Sequence, residues 1–360
     1  MEQVEIHKET QNILIQMFSS EAQQERVESI AVEVMQTLPH ATLIGASTAG
    51  EIIAGKIIER STVLSISVFE KSSLRLLKSQ GDDSYALGLS LAKKVFDSDT
   101  KCVITFLDGL AHNGQEYLQG LNAMNYKHAV IAGGMAADML NFKRTYTICA
   151  EHVFSGGAVC VAISGEDLEV LQDYNLGWRA VGPTFTVTKS DGARVYEIDH
   201  RPVKELYEEV LGSFAVENMP ASTIEFPLIL QEEDMQIARS MLSIAKDGSI
   251  LYGGNIQEGS VVRFGLGSRT LVNQYYPNQQ LKESETLQAC FLYSCIARKM
   301  FLGKELEKNF HILENSAPTS GFFTYGEFFF NENKTKLLNI TTTLLFLREK
   351  GTEAAKNHTE

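Results

Sequence analysis

Apolar residues return at helical spacing through "SEAQQERVESIAVEVMQTL", residues 20–38, where Val27, Ile30, Ala31, Val34, Met35 and Leu38 share one face. Ser20 and Gln23 are spaced as a capping box at its start. A second helix is predicted over 84–97, with Leu87, Leu91 and Val95 on one side, and a third in "GQEYLQGLNAM". Between them the pattern changes. "ATLIGAS", "STVLSISVFE" and "SLRLLKSQ" read as strands. "KCVITFLDG" and "HAVIAGGMAAD" are continuous apolar runs, as in strands covered on both faces.

Beyond residue 144 turn chemistry dominates. "RTYTICAEHVFSGGAVCVAISG" predicts two strands joined through Ser-Gly-Gly, and "TFTVTKSDGARVYEI" a hairpin turning at Asp191-Gly192. "PVKELYEEVLG" predicts a helix with Pro202 in its first turn and Gly212 as its stop. Strands follow until one long helix, predicted over 284–302. "GFFTYGEFFF" and "KLLNITTTLLFLRE" read as a last pair of strands.

Composition adds boundaries to this picture. The chain has 360 residues, enough for two domains, with 44% hydrophobic and 21% charged residues. Its net charge of −13 argues against a general nucleic-acid binder. No apolar run reaches the roughly 20 residues of a membrane span, so no membrane insertion is expected. The first twenty residues lack a basic n-region and do not read as a secretory signal. Cys102, Cys149, Cys160, Cys290 and Cys295 lie in apolar runs and read as reduced thiols of a cytoplasmic core. No C-x-x-C or H-x-x-x-H spacing points to zinc.

"IGASTAGEIIAGK", residues 44–56, resembles two catalytic devices incompletely. As a phosphate loop it has Ile57 where a Mg²⁺-binding hydroxyl belongs, and Glu51 where phosphate would sit. As a nucleophile elbow around Ser47 it lacks the last Gly, although His112 and Asp108 are candidate base and orienter. Small residues allowing close packing would explain it without chemistry. A further reading uses three strand ends: Ser47 and Thr48; Asp108; Gly134 and Asp138. If these strands are parallel neighbours, their ends line a crevice able to hold a small carboxylate, with Asp108 or Asp138 available for an amine.

In the C-terminal part, Leu287, Cys290, Phe291, Ser294, Cys295 and Arg298 fall on one stripe of the predicted 284–302 helix. On such a helix Cys290 and Cys295 point roughly 140° apart and cannot share one small metal. Arg298 serves either a ligand carboxylate or an internal salt bridge, with Glu327 as candidate partner. Arg263 has the same two options. Tyr325 and Glu327 are two apart and share a face if the segment is a strand.

"IGASTAGEI", "VITFLDG", "VIAGGMAAD", "SGGAVCVAISG", "WRAVGPTFTVT" and "VYEIDHRPVKELYEEVLG" occur in the order and spacing of the FIST N-terminal domain. "GGNIQEGSVVRFG", "CFLYSCIARKMFLG" and "GFFTYGEFFF" before "NITTTLLFL" resemble the FIST C-terminal domain. The resemblance implies an α+β protein: an extension over 1–24, an N-terminal domain over 25–220 with helices on a mixed sheet, and a smaller β-rich domain over 221–348. A polar tail over 349–360 is frayed or leads to a further module. It also implies a bacterial, cytoplasmic sensor without turnover. Such a protein binds a small polar metabolite, an amino acid among the candidates, at the domain junction or at the N-domain strand ends. The regulated partner would be a histidine kinase or a diguanylate cyclase, separate or fused. One branch of the family binds haem and senses nitric oxide, which makes haem b, with His112 as axial ligand, the alternative cofactor reading. A Ser47-dependent hydrolase is the third.

Overall fold

The computed structural model describes residue 7 and residues 11–233, 235–275 and 287–352. Four sheets organise the described residues. The first runs, edge to edge, through His152–Phe154, Thr147–Cys149, Thr42–Ser47, Ile13–Ser19 and Thr62–Val68. Its two middle strands are parallel, so Ser19 and Ser47 end side by side. The helix Gln24–Thr37 covers one face through Val27, Ala31 and Val34.

The second sheet places Thr100–Leu107 parallel to Val130–Met135 at its centre. The helices Ser84–Val95 and Gly114–Asn122 cover its outer face. Close contact between these helices needs glycine: a Cβ at Gly88 would meet Tyr117 O at 2.1 Å. The inner face packs on the first sheet, with Ile44, Ala46, Ile104 and Phe106 in one apolar cluster. A third sheet, built around Ala289–Cys295 and Thr319–Thr324, meets the same cluster through Phe291, Tyr293 and Phe322. The fourth carries the long Trp178–Asp191 strand and the helix Val203–Leu211 over its own core.

The α+β class is as expected, but the halves interleave. Glu327–Asn331 pairs with Val130–Met135 and extends the second sheet with Lys334–Leu338. In return Glu51–Ile53 pairs with Thr319–Thr324, and Leu168–Asn175 with Thr342–Glu349. The 1–24 extension contains a central strand, Ile13–Ser19. The proposed Ser20–Gln23 box does not form: Gln23 is the N-cap without a side-chain bond, and Ser20 Oγ donates to Glu51 instead.

The predicted 284–302 helix is replaced by the strand Ala289–Cys295 followed by the short helix Ile296–Leu302; residues 284–286 lie outside the described residues. Cys290 through Cys295 is buried continuously on both faces, and such a run has no period to separate helix from strand. The stripe from Leu287 to Arg298 is therefore not a helix face. All five cysteines are buried and unpaired. From 353 onward the polar tail, His358 included, lies outside the described residues.

Candidate functional site

The "IGASTAGEIIAGK" segment carries the chain from one sheet to another. Gly45 lets Thr42–Ser47 lie close to its neighbour, since a Cβ there would meet Met17 O at 2.1 Å. At Thr48–Gly50 the chain turns a corner, with Gly50 at φ 119°. Thr48 N–H donates to Ser19 O (2.9 Å), Ala49 N–H to Phe323 O (2.9 Å), and Phe323 N–H to Gly50 O (2.8 Å). Glu51–Ile53 and Lys56–Ile58 then form a hairpin turning at Ala54 (φ 48°) and Gly55 (φ 73°). A hairpin in place of a helix rules out the phosphate-loop geometry.

An open cleft of about 780 Å³ lies at the end of the first sheet. Its floor holds Ser19, Ser47 and Thr48, with Tyr146 beside them. One wall is the start of the Gln24–Thr37 helix, with Glu21 and Glu25; the other is the strap 138–144. Ser47 Oγ accepts from Tyr146 N–H (3.0 Å), which ties floor to strap. Below Thr48, fully buried Glu51 accepts from the hydroxyls of Thr48 (2.5 Å), Ser61 (2.7 Å) and Ser20 (2.9 Å). Burial raises its carboxyl above the ordinary range, against the pull of those three bonds. Tyr146 is 6% exposed, and burial pushes its hydroxyl up to about 12, against the pull of the neighbouring Ser19 hydroxyl.

The strap is a strained, fastened segment. Met139 (φ 58°), Leu140 (φ 63°) and Phe142 (φ 49°) all adopt left-handed backbone. Asp138 holds them there, accepting from the N–H groups of Phe142 (3.0 Å), Lys143 (2.7 Å) and Arg144 (3.0 Å). Tyr325 donates its hydroxyl to Asp138 Oδ1, accepts from Leu140 N–H (3.0 Å) and stacks on Phe142 at 5.3 Å. Tyr325 thus fixes the strap from the C-terminal part. It lies in the turn before Glu327–Asn331 and shares no strand face with Glu327.

Of the predicted crevice, Ser47, Thr48 and Asp138 come together. Thr42–Ser47 belongs to a different sheet from Thr100–Leu107 and Val130–Met135, so the three ends are not neighbours in one sheet. Asp108 lies outside the cleft lining and is satisfied where it stands. It accepts from the N–H groups of Leu110 (3.1 Å), Ala111 (3.2 Å) and Gly156 (2.8 Å) and from the Thr145 hydroxyl. Asp138, half-buried, lines the cleft while holding the strap; Asp108 does not line it. Gly134 is a packing position: a Cβ would meet Thr324 Oγ1 at 2.8 Å.

Arg263, half-buried, donates twice to Gly182 O, at 3.1 and 2.8 Å, away from the cleft. Arg298, 2% exposed, donates to the carbonyls of Asn175 (3.0 Å), Leu176 (2.9 Å), Val272 (2.7 Å) and Ile340 (3.3 Å) and lies over Trp178. It forms no salt bridge with Glu327, whose Oε2 accepts Thr341 N–H at 3.2 Å. The two still feel each other's charge. Burial lowers Arg298 to about 10, opposed by Glu327, and drives Glu327 well above the usual carboxylate range. Both are structural, and neither lines the cleft.

His112 is 8% exposed, with Nδ1 3.3 Å from Ser84 Oγ, and it lies outside the cleft lining. Among the described residues no histidine lines the cleft, so those residues do not fit a haem held there by an axial His. Neither His112 nor Asp108 is bonded to Ser47, so the base and orienter of the hydrolase reading do not assemble. Among the described residues no group of three His, Cys, Asp or Glu is arranged to hold a metal.

Sequence reasoning missed Ser19, Arg60, Lys143, Arg144 and Tyr146. The run "ILIQMFSS" could have placed Ser19 at a strand end; the cations carried no pattern to mark them.

The fold and cleft define an α+β protein with a polar hollow of small-molecule size at the carboxyl ends of two parallel strands. The FIST N domain matches residues 13–201 and the FIST C domain residues 204–330: the chain belongs to the FIST family. FIST domains are associated with sensory signalling. An uncharacterized protein of the archaeon Methanocaldococcus jannaschii is 25% identical over 323 residues, covering 80% of this chain and 60% of that protein. The chain thus spans less than two thirds of that relative's length. Among the described residues no helix is long and apolar enough to cross a membrane.

Proposed function

We propose that this chain is the input element of a cytoplasmic signalling system, binding a small polar metabolite in the cleft and regulating a partner such as a histidine kinase or a diguanylate cyclase. The observation that carries the reading is the cleft itself: about 780 Å³, floored by Ser19, Ser47 and Thr48 and rimmed by charged groups. It lies within the first domain, at strand ends, and not between the two domains. Its occupant has a route to the C-terminal part. The strap is fastened to Tyr325, and the corner at Ala49 accepts from Lys299 Nζ (2.7 Å) on the Ile296–Leu302 helix. The ligand shifts output only by its preference for one arrangement of strap and corner over another.

A thermal-shift screen of amino acids, organic acids and other small metabolites tests this. A ligand at 100 times its Kd adds about 2.7 kcal/mol of stability. Ala22→Trp, at an exposed position of the cleft wall, is expected to abolish that gain while leaving the unliganded protein folded. Retention of the full gain in Ala22→Trp would show that the ligand binds elsewhere.

A further inference from the structure

The charges around the cleft are unevenly spent. Among the carboxylates, Asp138 is committed to three strap N–H groups, and Glu51 is sealed beneath Thr48. Glu21 accepts from Ala22 N–H (2.9 Å) and pairs with Arg26 (3.1 Å). Glu25 alone remains, in the first turn of the Gln24–Thr37 helix, where the helix dipole already favours a negative charge. Among the cations, Arg60, Lys143 and Arg144 are exposed, line the cleft, and have no ion-pair partner among the described residues. Glu59, next to Arg60, is taken by Lys299 at 2.5 Å. Three cations without an ion-pair partner among the described residues thus face Glu25, while Glu21 is paired with Arg26 and Asp138 keeps its charge but is engaged by the strap.

Their placement is as informative as their number. The sheet order puts Thr147–Cys149, Thr42–Ser47, Ile13–Ser19 and Thr62–Val68 side by side. Thr147 is level with Ala46, Ser47 with Ser19, and Ser19 with Thr62. Arg144 leads into the first of these strands and Arg60 into the last, so the arginines enter from opposite flanks. Three strand spacings separate the flanks, about 14 Å between backbones. Two long side chains reaching inward leave room for a molecule of a few carbons. The hydroxyls of Ser19, Ser47 and Thr48 lie between them, with Tyr146 alongside.

We infer that the cleft selects a ligand with an anionic group at each end, of the α,ω-dicarboxylate class, one end on Arg144 and Lys143 and the other on Arg60. This rests on the cleft being the ligand site and narrows its occupant. A zwitterion of the same length would set its amine against one of the two flanking arginines, and a monoacid would leave one flank empty. Planar carboxylates match the guanidinium fork in a way an ammonium group cannot.

The test is isothermal titration of the full chain with three series of equal carbon count: α,ω-dicarboxylates, monocarboxylates and ω-amino acids. One dicarboxylate length is expected to bind at least tenfold more tightly than its monoacid and ω-amino acid counterparts. Arg60→Gln and Arg144→Gln should each remove that advantage, and raising the salt concentration should weaken the diacid more than the monoacid. Both positions are exposed, so folding should be untouched, which circular dichroism checks. If an ω-amino acid or monoacid binds as tightly as the diacid and is lost in Ala22→Trp, the two-anion inference is overturned while the cleft stands as the ligand site. If no small molecule, in these series or in the broader screen, is sensitive to Ala22→Trp, the cleft itself falls as the site.

Discussion

Arg298 and Arg144 are both arginines near sheet ends, yet their surroundings differ in every respect that matters. Arg298 is 2% exposed, and its guanidinium is consumed by four backbone carbonyls of the chain itself. Arg144 is exposed on a strap whose N–H groups from Leu140 to Arg144 are all bonded, while its side chain has no ion-pair partner among the described residues. One region spends its charge on holding strands together. The other spends its backbone bonds on presenting charge. The proposed site is marked by charge that the chain has not used, not by charge that is buried.

The contrast breaks most visibly at Arg298. Arg298→Leu strips four carbonyls of their donor and leaves buried Glu327 without a cationic neighbour. We expect a loss of about 3–5 kcal/mol in urea unfolding. A loss below about 1 kcal/mol would show that water or rearrangement replaces the guanidinium. Tyr325→Phe comes next. It removes the hydroxyl bonded to Asp138 and Leu140 N–H, with an expected cost of about 1–2 kcal/mol. Its diagnostic is local: the amides of Phe142, Lys143 and Arg144 should exchange with deuterium faster than those of the strands.

A smaller effect is expected from Glu51→Gln. Burial raises the Glu51 carboxyl above its ordinary value of 4.5, so the native state holds a proton that the unfolded state has lost. The associated stability is fully present below that ordinary value and is lost as pH rises through the raised native value. Glu51→Gln should therefore flatten the decline over that interval, measured as unfolding free energy against pH. An unchanged slope would assign the decline to the other carboxyls that burial raises, Glu327 and Glu314. The smallest effect on stability, within about 0.5 kcal/mol, is expected for Arg144→Gln and Lys143→Gln. A change well beyond that would mean these side chains serve the fold and are not free for a ligand.

Much of the fold was legible wherever one period was clean. The helices Gln24–Thr37 and Ser84–Val95 and the buried strands Thr100–Leu107 and Val130–Met135 lie where the apolar pattern put them. Ala289–Cys295 was not legible, because a run buried on both faces gives helix and strand the same apolar string. Ile13–Ser19 was overlooked as part of a terminal extension. At the candidate cleft, Ser47, Thr48 and Asp138 were legible because they follow or end predicted strands. Asp108 satisfied the same criterion and is nonetheless structural, since its partners Thr145 and Gly156 come from distant sequence. Lys143, Arg144 and Arg60 were invisible for the opposite reason: a cation in a loop looks the same whether it faces bulk water or a cleft.

The exchange of hairpins between the halves has a practical corollary. Expressing residues 13–201 or 204–330 separately would strip Glu327–Asn331 from beside Val130–Met135, or Glu51–Ile53 from beside Thr319–Thr324. Each fragment would carry a bare, apolar sheet margin ready to pair with another molecule. Attempts to map binding to one fragment and output to the other by truncation would yield aggregates before they yielded an assignment.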